Sequence, residues 1–462
     1  MCSVSNILIS NPAEYFNVSH LTDYFNQHLI RKSGGGRDNL SPRKYWEKYN
    51  GELSTICRKC LDGTYRFSYY NEKLVLKGSN KKPRVLSIPT VRDRLVLGVL
   101  NEYLSEVFSE CVSHEIPNKL INEIDNYIST HSDKKISFLR TDFHDFYGSI
   151  RIKLLMDMLR SEITDENIIA LIFNAVTTPT VSGSVPKALR RTKKKGIPQG
   201  LSISNILAAI YMHSFDEEYG KPRAGLYIRY VDDILFLDAN KVSKRQMLME
   251  IRRRNLGLKF SPDKCKSGII GKNSLDFIGY AINEKIFVRR NNVTRFLNRV
   301  ASLATKFKEG KDDHSKRPRF IEKDPNYNDY YKEGFIELLS GFKYENHLYG
   351  WIAYYQGITD ISSLYGMDRV IRENILKELP LEILRDINSL VDTYYDIRRH
   401  GGNKLVPDYD KLDTVGKKEF FLKKKGWIDG GRDYTDEQIN NYFESYIRHL
   451  KRRMEHDIGT IS

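Results

Sequence analysis

Apolar and polar positions follow two different periods in this chain, and the mixture changes along its length. Between residues 41 and 290, short β-favouring runs occur at Lys73–Lys77, Val85–Ile88, Ser137–Asp142, Leu226–Leu237 and Leu275–Ile282. They are interleaved with stretches of helical spacing at Arg92–Phe108, Ile152–Glu162 and Ser202–Glu218. The interleaving is irregular, unlike the strict alternation of a doubly wound parallel sheet, so an α+β domain is expected. After residue 291 the strand signals fade. Thr294–Lys308, Phe335–Leu339 and His347–Tyr355 read as helices, with a basic polar loop at Lys308–Arg319. Residues 361–462 read as mostly helical, with a charged linker at Lys417–Lys425, and residues 1–40 form a mixed polar and aromatic extension ending in Gly34-Gly35-Gly36.

Within this pattern the run LYIRYVDDILFL (Leu226–Leu237) sets two adjacent acids, Asp232 and Asp233, between apolar segments. The arrangement predicts a strand, a turn and a second strand, with both carboxylates at the tip. Neighbouring carboxylates at the ends of buried strands repel each other, and a cation relieves the repulsion. Taken alone, such a doublet is equally a solvated turn. A third acid changes the picture: ISFLRTDFHDFYGSI (Ile136–Ile150) delivers Asp142 at the end of another β-like run. A hard divalent ion takes carboxylate oxygens from several strands, plus water and substrate phosphates. Asp142, Asp232 and Asp233 together supply that set. Two Mg2+ ions (or Mn2+) ~3.5–4 Å apart would clamp the attacking and leaving oxygens of an in-line phosphoryl transfer.

YVDD resembles the catalytic hairpin motif of reverse transcriptases, and DFHDFY resembles their first catalytic motif. In that family an aromatic residue five positions after the first aspartate stacks under the deoxyribose and bars a 2′-hydroxyl. Tyr147 stands there, beside Phe146 as a core candidate. The resemblance also implies that Phe143, next to Asp142, belongs with the metal and nucleotide contacts. KPRVLSIPTVRDR (Lys82–Arg94) is similar to the fingers motif whose arginine reaches the incoming triphosphate, which assigns that role to Arg84. A planar guanidinium meets phosphate oxygens bidentately. Arg92 and Arg94 are left as structural ion-pair or template-backbone residues.

GIPQGLSISN (Gly196–Asn205) resembles the motif that opens a helix against the nascent base pair. It implies a nucleotide and template contact for Gln199 and close backbone approach at Gly200, with Ser202 and Ser204 at the helix start. GLKFSPDKCKS (Gly257–Ser267) is similar to the motif whose lysine protonates the pyrophosphate leaving group; Lys264 is the aligned residue and Lys266 its rival. Leu275–Ile282 resembles the primer-gripping hairpin. HLYGWIAYY (His347–Tyr355) looks like the thumb helix, with Trp351, Tyr354 and Tyr355 as core. The motifs stand in the family's order and imply a right-hand polymerase. Residues 41–290 would form fingers and palm, 291–360 a helical thumb, and 361–462 a helical C-terminal extension.

Composition adds a partner. The excess of 74 Lys+Arg over 59 Asp+Glu leaves a net charge of +15, and 29 Tyr and 21 Phe are interleaved with it. Such a surplus favours a polyanion, because each phosphate contact releases condensed counterions, and bases stack on aromatic rings. The resemblance accordingly implies an RNA template or noncoding RNA, dNTPs and a DNA product, with a homo-oligomer left open. Five scattered cysteines, with Cys57 and Cys60 as a lone CxxC pair, read as reduced thiols. No apolar run approaches the ~20 residues that span a bilayer, so a soluble, cytoplasmic protein is expected.

Among reverse transcriptases, no integrase or ribonuclease H region is recognised. Asn174-Ala175-Val176-Thr177-Thr178 lacks the histidine of the retron signature, and Val293-Thr294 is followed by Arg295 rather than glycine. The expectation is an enzyme most like the defence-associated (unknown-group or abortive-infection-like) bacterial reverse transcriptases, working with a companion noncoding RNA. The alternatives are a template-independent or protein-primed DNA nucleotidyl transferase, and a retron or group II intron-type enzyme.

Overall fold

The computed structural model describes residues 11–30, 32, 35–76, 83–112, 117–182, 195–220, 225–238, 244–318, 326–425 and 432–458. Expectations that fall on Cys2, Gly34, Lys77, Lys82 and Arg319 lie outside these residues. Helices and short strands mix as an α+β chain. They form two compact units, one of Met1–His114, Leu139–Phe236 and Lys241–Cys265, the other of Glu115–Phe138, Leu237–Asn240 and Lys266–Ser462.

In the first unit, β1 (Tyr70–Val75) and β2 (Arg84–Ile88) pair antiparallel, with Val75 opposite Arg84 and Asn71 opposite Ile88. The strand β3 (Ser137–Asp142) comes next in the chain, followed by a strand of only two residues, β4 (Thr180–Val181). This short strand adds to β1 in parallel, giving the order β2-β1-β4. A second sheet sets β5 (Gly225–Tyr230), β6 (Asp233–Asp238) and β3 side by side in that order. The expected run Leu226–Leu237 is thus a hairpin broken at the acids.

The helix Val91–Val107 runs through the core of this unit. Thr90 caps it, its hydroxyl oxygen accepting from the Asp93 amide at 3.3 Å. Leu95, Val96, Leu97, Val99, Leu100 and Leu104 are each fully buried, so the helix is apolar on nearly every side. Gly98 makes this possible: a Cβ there would lie 2.1 Å from the Tyr24 phenol oxygen. Asp93 is buried with its charge matched, accepting from the Tyr65 hydroxyl at 2.7 Å and the Ser68 amide at 2.9 Å, and pairing with Arg92 at 3.1 Å. Arg92 is therefore a structural ion-pair residue, and Arg94 donates to the Pro89 carbonyl at 3.1 Å. Cys57 and Cys60 are buried on the helix Leu53–Leu61, where burial pushes both thiols up.

In the second unit, Leu275–Phe277 and Tyr280–Ile282 form a tight hairpin through Ile278 and Gly279, both at positive φ. The helix Arg290–Asp312 runs past the expected loop start at residue 308. It buries Phe296, Val300, Ala304 and Phe307 along one face, and His314–Lys316 beyond it forms a separate turn. The expected helix His347–Tyr355 is mostly not one. Phe342–Tyr344 and His347–Tyr349 form a hairpin turned at Glu345 and Asn346, with φ of 51° and 58°. Gly350 at φ 133° then separates the hairpin from a short helix, Trp351–Tyr354. Trp351 and Tyr355 are core as expected, Trp351 stacking on Phe296 at 4.6 Å.

The charged linker expected at Lys417–Lys425 is helical, Thr414–Glu419 continuing into Phe420–Lys425. Phe420 and Phe421 explain it, because they enter an aromatic cluster with Tyr409, Phe443 and Tyr446. Buried Glu337 accepts hydrogen bonds from the hydroxyls of Tyr409 (2.7 Å) and Tyr446. Among the described residues no helix is long and apolar enough to cross a membrane.

Candidate active site

Asp142 is the last residue of β3, and the backbone there is held on two sides. The Phe143 amide donates to the Asp232 carbonyl at 3.3 Å, which ties the end of β3 to the β5–β6 turn. The Ser261 amide donates to the Asp142 carbonyl at 2.8 Å, and the His144 amide to the Lys259 carbonyl at 2.8 Å. Residues 259–261 thereby lie along the end of β3, and a single turn at Pro262–Lys264 swings Lys264 over the acid. The Lys264 ammonium pairs with Asp142 Oδ2. Of the two lysines weighed from the sequence, Lys264 is the one bound to Asp142.

The other oxygen of Asp142 stands differently. Asp142 is 6% exposed, and its Oδ1 is buried without a hydrogen-bond partner. A carboxylate oxygen in that state is costly unless a cation or donor reaches it. Asp232 lies close enough for charge to couple: burial pushes its carboxyl up, the Asp142 charge adds to this, and Lys264 opposes it. Burial also pushes Asp233 up, opposed mainly by Arg140. Arg140 shares a face of β3 with Asp142, two residues on. It grips Asp233 bidentately, Nε to Oδ1 at 3.0 Å and Nη2 to Oδ2 at 2.8 Å.

The turn carrying Asp232 is itself strained and braced. Val231 sits at φ 58°, unfavourable for a β-branched residue. Arg229 donates to its carbonyl at 2.8 Å and also pairs with Asp216 on the helix Ser204–Gly220, its Nε 2.8 Å from Oδ1. The Tyr227 hydroxyl donates to the same Oδ1 at 2.7 Å. The sequence reading missed Arg140, Arg229 and Asp216. Their only signal is a charged residue on an otherwise apolar strand or helix face.

The raised Asp232 carboxyl has a stability consequence. The folded chain holds this proton more tightly than the unfolded chain, so the ionised group costs stability at neutral pH. Asp232→Asn is therefore expected to raise the unfolding midpoint of the protein in EDTA at pH 7. The gain should vanish as pH falls below about 4, where folded and unfolded chains are both protonated. Calorimetry at the two pH values checks both halves.

Around the acids stand the remaining sequence-derived residues. Phe143 is buried, its ring stacked between Phe146 at 5.4 Å and Phe260 at 5.3 Å, so only its backbone adjoins Asp142. Tyr147 is half-buried, and its hydroxyl donates to Asn205 Oδ1 at 2.7 Å. Burial pushes this phenol up to about 12, with the Asp232 charge adding and Arg229 and Arg84 opposing. Asn205 was not singled out from the sequence, although it closes the GIPQGLSISN segment.

That segment is stitched to both neighbours. The Ile197 amide donates to the Tyr147 carbonyl at 2.9 Å, and the Ser87 amide of β2 donates to the Gln199 carbonyl at 2.7 Å. Gly200 has φ 98°, and a Cβ there would lie 3.2 Å from the Ser87 carbonyl oxygen. Gln199 is thus fixed beside the strand that Arg84 begins. Ser204, expected at the helix start, is the first residue of the helix Ser204–Gly220, and its buried hydroxyl donates to the Pro198 carbonyl at 2.6 Å.

Residues 75–282 match the family model described as reverse transcriptase (RNA-dependent DNA polymerase). Protein YkfC of Escherichia coli (strain K12) is 22% identical over 280 residues, covering 51% of this chain and 72% of that protein. Group II intron-encoded protein LtrA of Lactococcus lactis subsp. cremoris is 25% identical over 170 residues, 36% of this chain; the match spans only 28% of LtrA. Among solved structures, telomerase from Candida albicans aligns over 76% of this chain and 69% of that one, at 14% identity and a TM-score of 0.44. Strand by strand, the acids and the segments that hold them fall inside the matched region, and residues 75–282 are a reverse transcriptase domain, the catalytic domain of an RNA-directed DNA polymerase.

Proposed function

We propose that the protein copies RNA into DNA from dNTPs, with Asp142 and Asp232 as the principal holders of two divalent cations and Asp233 completing the acidic set. One observation carries this reading: Asp142 Oδ1 is buried and unpartnered beside the Asp232 turn. The donors are all carboxylate oxygens, which suits a hard ion such as Mg2+ better than a softer metal. When bound, such ions polarise the attacking and leaving oxygens of the phosphoryl transfer.

The chain's own residues do the rest by position and charge. Arg84 is the reading's clamp for the triphosphate, and Gln199 its contact to nucleotide and template. The Tyr147 ring, held by Asn205, would lie under the sugar. Lys264 neutralises Asp142 and is the candidate proton donor or counter-charge for the leaving pyrophosphate. The Phe143 side chain is committed to the core, so any contribution to the metals is from its backbone. In this reading residues 41–290 supply fingers and palm, 291–360 the thumb and 361–462 the C-terminal extension.

The narrower reading, a defence-associated enzyme with a companion noncoding RNA, draws on the motif departures at Thr178 and Arg295 and on the net charge of +15. Purified full-length protein given homopolymer RNA templates and a single dNTP at a time tests the activity. Incorporation of only the complementary dNTP is expected. Products whose composition ignores the template would instead mark a template-independent transferase.

A further inference from the structure

We propose that Glu110, Cys111 and His213 form a zinc site, with Glu217 as a fourth donor, away from the polymerase acids. One oxygen of Glu110, the sulfur of Cys111 and one ring nitrogen of His213 lie within 4.8 Å of one another. Tetrahedral zinc with bonds of about 2.0–2.3 Å needs donor separations of about 3.3–3.8 Å, so small side-chain rotations close the set. Glu217 is one helical turn on from His213, with Oε1 3.8 Å from its Nε2.

The donors come from two elements that the fold already holds together. Glu110 and Cys111 belong to the short turn Ser109–Cys111 that follows the helix Val91–Val107, and the Cys111 amide is fixed by the Phe108 carbonyl at 2.9 Å. His213 and Glu217 project from the helix Ser204–Gly220. The mixture of sulfur, nitrogen and oxygen donors fits Zn2+ and argues against Mg2+ or Ca2+, which want oxygen alone.

The local field favours a cation as well. The Cys111 thiol lies within the fields of the Glu110, Asp216 and Glu217 carboxylates. In this structure the thiol donates to Glu110 Oε1 at 3.6 Å. Zinc would replace that proton and neutralise the surrounding carboxylates. The site would also have a mechanical consequence. His213 and Glu217 flank Asp216, the residue that holds Arg229 against the strained Val231 turn. A metal here would stiffen the helix segment from which the catalytic turn is braced.

The test uses the full chain, stripped of metal and then loaded with Zn2+ or Co2+ in excess Mg2+, which occupies the carboxylate-only site. One equivalent of zinc should survive gel filtration, and cobalt should give an intense sulfur-to-metal charge-transfer band. Cys111→Ser should abolish the band and weaken zinc binding at least 100-fold. Cys265→Ser, the control for the thiol beside Lys264, should retain both. Should Cys111→Ser fail to fold, His213→Gln serves in its place, with zinc lost and the thermal shift on zinc addition abolished. Absence of stoichiometric zinc in the parent, or a cobalt band that persists in Cys111→Ser, would overturn the proposal.

Discussion

Asp232→Asn is expected to lower DNA synthesis by about three orders of magnitude or more, while the protein stays folded and still binds RNA. The magnitude follows from removing a charge that stabilises transition-state phosphate in a desolvated corner, where even one neutral donor is worth ~10²–10³. Asp142→Asn should be as severe, since it alters a carboxylate oxygen that is buried beside the Asp232 turn without a hydrogen-bond partner. Asp233→Asn should be milder, about 10- to 100-fold, because both Asp233 oxygens are occupied by Arg140. Single-turnover incorporation, with RNA affinity measured alongside, separates the three. Equal losses at all three positions would show that the Arg140 pair opens during the reaction. Unchanged synthesis in Asp232→Asn would end the catalytic reading and leave an RNA-binding scaffold.

The second large effect concerns sugar choice. Tyr147→Ala is expected to reduce discrimination against ribonucleotides by roughly 100-fold, on the scale at which a pocket wall rejects one added hydroxyl. Tyr147→Phe should keep most of the discrimination, because the ring remains and only the hydrogen bond to Asn205 is lost. Competition between a dNTP and its NTP on one RNA template measures both ratios. If Tyr147→Ala discriminates as the parent does, the ring is packing rather than a gate.

Much of the active-site unit was legible because its signals are local. Alternation over LYIRYVDDILFL specifies a hairpin, and an acid doublet in its middle can only lie at the turn. Asp142 was legible for the same reason, at the end of a β-like run. What supports these acids was not legible. Arg140 meets Asp233 across 93 residues, and nothing near either one announces the pair. Arg229 reads as a polar strand residue until Asp216 and the Val231 carbonyl are seen beside it.

The second unit shows two further reasons. HLYGWIAYY is apolar on all sides, so periodicity cannot separate helix from hairpin; the positive φ at Glu345, Asn346 and Gly350 decides. Around Lys417–Lys425 the lysines concealed Phe420 and Phe421, whose burial against Phe443 and Tyr446 makes the segment helical. Tertiary packing outweighed a local charge signal there.

Whether Asp142 and Asp232 hold the divalent cations is decided by anomalous diffraction from crystals of the full chain with Mn2+, RNA–DNA primer-template and a non-hydrolysable dNTP. Manganese peaks are expected at Asp142 Oδ1 and at the Asp232 carboxylate, with Lys264 turned from Asp142 towards the nucleotide phosphates. A nucleotide bound with no manganese at these two carboxylates, and Lys264 still paired with Asp142, would contradict that assignment.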